Sequence, residues 1–85
     1  MSQILVTGAA GFVGANVAKA LINQGYDVVG VDSINDYYDP ALKHHRLAQL
    51  NEFPRFSFVS GDLADAELVE SVFARGPFRW VIHLA

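Results

Sequence analysis

Cysteine is absent from the 85 residues. That excludes a disulfide framework and a thiolate metal site, and it fits a cytoplasmic protein. Basic residues are scarce too. Six Lys and Arg stand against nine Asp and Glu, for a formal net charge of −3. The only basic cluster, Lys43-His44-His45-Arg46, adjoins a stretch rich in Tyr and Asp and reads as a solvated helix face. Nucleic acid needs clustered Lys and Arg, so no nucleic-acid partner is expected. His44 and His45 are adjacent on that helix and do not share a face, which argues against a metal site. No apolar run approaches the ~20 residues of a membrane span. The opening stretch has no basic flank and its apolar run ends at Thr7-Gly8, so neither a leader nor a membrane partner is expected.

What is present is apolar: 52% of the residues are hydrophobic and 18% charged, which suits one small folded domain. Four runs rich in β-branched and aromatic residues stand at 4–7, 28–32, 56–60 and 80–84. They are near-continuous rather than alternating, as strands buried on both faces are. Helical patterns separate them. Over 13–24, Gly14, Val17, Ala18 and Leu21 share a face, and Gly25 stands where a C-terminal cap belongs. Over 40–51, Asp39 suits the cap and Pro40 the first turn, with a thin inward face of Leu42, Leu47 and Leu50. Over 66–75, Leu68, Val69, Val72 and Phe73 form a stripe, with Asp65 as cap and Arg75-Gly76-Pro77 as stop. The order β-α-β-α-β-α-β predicts parallel strands joined by right-handed crossovers.

The most informative stretch is Val6-Thr7-Gly8-Ala9-Ala10-Gly11-Phe12-Val13-Gly14. Its glycines recur every third residue between a predicted strand and a predicted helix. Gly8 permits a tight turn, Gly11 lets backbone approach a pyrophosphate, and Gly14 lets the helix pack closely. The helix then aims free N–H groups and the positive end of its dipole at the phosphates. On spacing alone such a pattern is equally turn chemistry. The second predicted strand, however, ends in Asp32, 18 residues past Gly14 and close to the expected ~20, where a carboxylate accepts from ribose hydroxyls. No Arg follows at 33–35 to offset a 2′-phosphate, so NAD is expected over NADP.

These residues resemble the extended short-chain dehydrogenase/reductase superfamily of NAD-dependent epimerases and dehydratases. The likeness rests on TGAAGFVG at 7–14, VDSIND at 31–36, GDLAD at 61–65 and VIHLA at 81–85, and it covers the whole chain. Within that superfamily, GVDSINDYYDPALKHHRLAQL at 30–50 is similar to the UDP-glucuronate 4-epimerase group, with Ser33 where relatives often have Asn. The resemblance implies a Rossmann-type α/β fold with a parallel sheet, strand order 3-2-1-4. Three crossover helices accompany it, two on one face and the third on the other. It implies NAD as cofactor and a UDP-sugar as substrate of a longer parent, a homodimer, of which 1–85 would be the first part of the NAD-binding domain.

By position, it implies that Gly8, Gly11, Phe12, Val13 and Gly14 meet the pyrophosphate. Asp32, Ser33 and Asn35 would hold the adenosine ribose, Asp62 and Leu63 flank adenine, and Leu84 and Ala85 line the ribose at the nicotinamide end. Leu63 and Leu84 suit plain core equally, and Tyr37 and Tyr38 suit loop packing better than cofactor contact. His83 reads as an ordered strand-end residue. The family's catalytic Tyr-x-x-x-Lys is missing: Ala15 and Asp39 stand four residues before Lys19 and Lys43. The 85 residues are therefore expected to be inactive alone, with strand four an exposed apolar edge. The alternatives are another nucleotide-sugar dehydratase or reductase of the superfamily, and a non-catalytic dinucleotide-binding module.

Overall fold

The computed structural model describes residues 2–33 and 40–85. Seven elements alternate along the chain: β1 (Gln3–Thr7), α1 (Phe12–Asn23), β2 (Asp27–Asp32), α2 (Pro40–Leu50), β3 (Phe56–Ser60), α3 (Ala66–Phe73) and β4 (Trp80–His83). The strands form one parallel sheet ordered β3-β2-β1-β4, as expected. None of the helices is long and apolar enough to cross a membrane, among the described residues.

Successive side chains of a strand point to opposite faces, and the two cores follow that period. Ile4, Val6, Val28 and Phe56 face α1 and α2, where they meet Ala18, Ile22, Leu47 and Leu50. Leu5, Val29 and Val31 face the other way and pack with Val72 of α3. Two helices on one side and one on the other is the arrangement right-handed crossovers produce for this strand order.

Four packing details differ from the sequence reading. On α1 the buried line is Gly14, Ala18 and Ile22, spaced by four, while Val17 and Leu21 lie on its flank. The contact made by Gly14, described below, sets that rotation. The helix closes in a Schellman arrangement: Gly25 takes φ +95°, its N–H bonds to Ile22 O, and Tyr26 N–H bonds to Leu21 O.

On α2, Leu47 and Leu50 are buried but Leu42 is 50% exposed. Counting back from Leu47 and Leu50 by turns of the helix reaches Lys43 and Arg46, not Leu42. The inward face therefore continues into two cations, and the basic cluster is not a uniformly solvated face. His44 and His45 are its exposed members. The expected cap, Asp39, lies outside the described residues.

On α3, Asp65 caps as read, accepting from Glu67 N–H at 3.0 Å. The helix stops at Phe73, and Gly76 N–H bonds back to Phe73 O. Phe73 does not join the core. It stands half exposed, edge-on to Phe78.

Nor is β4 buried on both faces, since Trp80 is 47% and Val81 49% exposed. β4 pairs with β1 alone among the described strands.

Candidate functional site

The C-terminal ends of β1 and β2 lie side by side, with Thr7 opposite Val31. The chain leaves β1 through Gly8 at φ +73°, a conformation that costs a residue with a side chain ~1–2 kcal/mol. Gly8 N–H and Ala9 N–H both donate to Val31 O, at 2.8 and 3.2 Å, which ties the turn to the end of β2. A Cβ on Gly8 would lie 2.8 Å from the backbone of Leu84, so the segment after β4 presses on this turn.

A Cβ on Gly14 would overlap the carbonyl of Gly8. This glycine therefore seats α1 against the turn rather than against the strand itself. Gly11 is different. A Cβ there would meet Gly8 O alone, at 3.3 Å, among the described residues, and its outer side is open.

The first helical bond of α1 runs from Ala15 N–H to Gly11 O at 2.9 Å. The amides of the first turn before it have no intrahelical acceptor. Gly11 has no side chain to cap them, and no acid stands in that turn. Phe12 and Val13 are 71% and 57% exposed, so their side chains stand clear of these amides. The loop thus presents backbone N–H groups and a positive dipole end with nothing anionic of its own in front of them.

Asp32, at the tip of β2, is fixed from two sides. Its Oδ2 accepts from Ala10 N–H at 2.9 Å, and its Oδ1 accepts from Lys43 Nζ at 3.1 Å. Lys43 donates also to Ser33 O at 3.0 Å, and Arg46 donates to Ala10 O at 3.2 Å from a guanidinium 5.9 Å from the Phe12 ring centre. The side chains of Lys43 and Asp32 are 16% and 9% exposed. No cation stands at 33–35. The one beside Asp32 comes from α2, on the inward face shared with Leu47 and Leu50.

The other expected residues spread along the same sheet edge. Asp62 is exposed in the turn after β3, where its Oδ1 accepts from Ala64 N–H at 2.9 Å and its carbonyl from Asp65 N–H. Leu63 is partly buried against the core of Leu5, Val29, Val31 and Val72. Ser33 is partly buried, and Leu84 and Ala85 are exposed just past β4. Asn35, Tyr37 and Tyr38 lie outside the described residues.

Thr7 also escaped notice as more than a motif letter. It is buried, and its Oγ1 lies 2.6 Å from His83 Nδ1 while accepting from Leu84 N–H at 3.1 Å, an N–H that it shares with the Thr7 carbonyl at 3.1 Å. With that oxygen accepting from Leu84, its proton is free to go to Nδ1. Thr7 so pins the end of β4 to β1. Thr7→Val is expected to cost about 1–2 kcal/mol, the worth of the lost side-chain bonds, while Leu84 N–H keeps its bond to the Thr7 carbonyl. Unchanged stability in urea unfolding would show the side-chain pin to be idle.

A parallel sheet whose first strand turns through glycines into a helix, beside a strand ending in an acid, defines a Rossmann-type α/β chain. The chain belongs to the GDP-mannose 4,6-dehydratase family, whose profile matches residues 5–85. It is 51% identical over 83 residues to UDP-glucuronate 4-epimerase 3 of Arabidopsis thaliana, covering 98% of this chain and 19% of that protein. Among solved structures it resembles the UDP-glucuronic acid 4-epimerase of Bacillus cereus in complex with UDP-glucuronic acid and NAD. The TM-score is 0.81 at 36% identity, over 98% of this chain and 26% of that one. It also resembles the UDP-glucose 4-epimerase of Bifidobacterium longum in complex with NAD+ and UDP, at TM-score 0.78 and 39% identity, over 99% and 24% of the two chains. The chain thus spans about a fifth to a quarter of the length of these relatives.

Proposed function

We propose that these residues are the cofactor-gripping portion of an NAD-dependent UDP-sugar 4-epimerase acting on UDP-glucuronate or its 4-epimer. The observation that carries this reading is the joint geometry of the glycine turn and Asp32. Ala10 N–H holds the carboxylate at 2.9 Å, so phosphate-facing amides and a ribose-facing acid form one rigid unit. Each oxygen of Asp32 accepts one bond within the protein and keeps a further lone pair for a ribose hydroxyl. The open side of Gly11 leaves room that any side chain would fill. The two solved epimerase structures described above, in complex with NAD and with UDP-glucuronic acid or UDP, support the same assignment.

In this reading Gly8, Gly11, Phe12, Val13 and Gly14 receive the pyrophosphate, largely through backbone amides. Asp32, Ser33 and Asn35 hold the adenosine ribose. Asp62 and Leu63 flank adenine. Leu84 and Ala85 line the second ribose, on a segment that Thr7 and Gly8 hold in place. Bound NAD would supply a hydride acceptor that becomes a donor, so C4 of a sugar is oxidised and re-reduced with no net redox change. The chain contributes grip and orientation to that chemistry. It offers no Tyr-x-x-x-Lys pair to move the hydroxyl proton.

The test is a calorimetric titration of the chain with NAD, followed by incubation with UDP-glucuronate and NAD. Binding without turnover is expected. Absence of binding overturns the cofactor assignment, and turnover overturns the division of labour.

A further inference from the structure

We propose that Arg46 is a positioning residue for the pyrophosphate: by holding the Ala10 carbonyl, it keeps the Gly14 amide free to receive a phosphate oxygen. The proposal rests on the NAD-binding reading above and deepens it. The glycine turn uses most of its own donors. Gly8 and Ala9 N–H go to Val31 O, Ala10 N–H to Asp32, and Gly11 N–H to Gly8 O at 3.0 Å. Among the described residues, Phe12, Val13 and Gly14 N–H are left for an anion.

Gly14 is buried, so its amide needs an acceptor. A helical N–H takes the carbonyl four residues back, which for Gly14 is Ala10. Ala10 is wholly buried as well. Gly11, between them, stands at φ −74° and ψ 169°, and a glycine passes readily from there to helical angles. Its own sterics therefore do not hold the two groups apart.

Arg46 does. Its Nη1 donates to Ala10 O at 3.2 Å, and its guanidinium lies 5.9 Å from the Phe12 ring centre. One side chain of α2 thus grips the residues on both sides of Gly11. A guanidinium can do both because it is flat, stacking with its face and donating from its edge. Without it, the Ala10 carbonyl has no donor among the described residues, and helix geometry offers it Gly14 N–H. That pairing would extend α1 at its start and take away a phosphate donor.

The experiment measures NAD and adenosine affinity, and amide exchange, for the wild-type protein, Arg46→Met and Arg46→Lys. Arg46→Met is expected to weaken NAD about tenfold, as when the open turn falls to about a tenth of the population. Adenosine carries no phosphate for these amides and should change less than about twofold. Exchange at Gly14 N–H should slow, whereas a variant that only loosened the fold would exchange faster throughout. Arg46→Lys keeps the charge but not the flat donor, and should weaken NAD about twofold to fivefold.

The proposal fails if Arg46→Met leaves NAD binding unmoved, weakens adenosine equally, or does not slow exchange at Gly14. It fails also if Arg46→Lys binds NAD as wild type does, since charge alone would then suffice. That comparison holds even where Arg46→Met does not fold. A wild-type protein that does not bind NAD overturns the underlying cofactor reading instead, so the two failures are told apart.

Discussion

Gly14→Ala is expected to destabilise the protein by about 3 kcal/mol or more, a large part of the 5–15 kcal/mol that holds a typical domain together. The added methyl would overlap the carbonyl of Gly8, a backbone atom with no rotamer to yield. Relief requires α1 to move off the turn. That movement would break the packing of Ala18 and Ile22 on Ile4, Val6 and Val28. NAD affinity should fall with the fold, because the amides of the first turn move with the helix. Gly11→Ala is the control. Its methyl would approach Gly8 O alone, at 3.3 Å among the described residues, a close contact without overlap at the helix N-cap, so the cost should be about 1 kcal/mol, well below that of Gly14→Ala. The methyl would instead stand in the approach to those amides and weaken NAD. Urea unfolding and NAD titration of both variants separate the roles. Equal loss of stability in the two would show that the glycines do not divide the work in this way.

The fold was legible because its signals are short-range. β3 lies where the residues placed it, between Pro54-Arg55 and Gly61, and the cap at Asp65 needed only the geometry of a first turn. What escaped was the rotation of helices about their own axes. Val17 and Phe73 satisfy a helical stripe as well as Ala18 and Val72 do, and only the partner surface chooses between them. For α1 the choice is made by an atom outside the helix, the carbonyl of Gly8.

The same gap hid half of the site. Asp32 was visible because a strand end is a position in sequence, and the glycines because their spacing is. Lys43 was not, because its charge suggested solvent. Hydrophobicity alone places Leu42, 50% exposed, on the inward face in preference to the cation one position on. A usable signal was present all the same. Two leucines are too few to hold a helix of eleven residues, and Lys43 and Arg46 continue their face. Thr7 was hidden for a different reason. Its partners, His83 and Leu84, are more than seventy positions away and reach it only through the pairing of β4 with β1.

Asp32→Ala is expected to cost about 3 kcal/mol of stability and at least a hundredfold in NAD affinity. The stability loss has two sources. Ala10 N–H is buried and would lose its acceptor, worth ~1–3 kcal/mol when left unpaired. Among the described residues Lys43 would keep only Ser33 O, and a cation left without its carboxylate is costly in proportion to its burial. That second part is moderated here, since a side chain with some access to water can swing outward. The affinity loss follows from two ribose hydroxyls deprived of a charged acceptor, each bond worth ~1.5–3 kcal/mol. Asp32→Asn keeps the bond to Ala10 N–H and so should cost no more than about half as much stability. The order wild type, Asn, Ala in urea unfolding would then identify Asp32 as the clasp between the glycine loop and β2. An Ala variant as stable as wild type would show instead that Gly8 and Ala9, bonded to Val31 O, hold the loop without it.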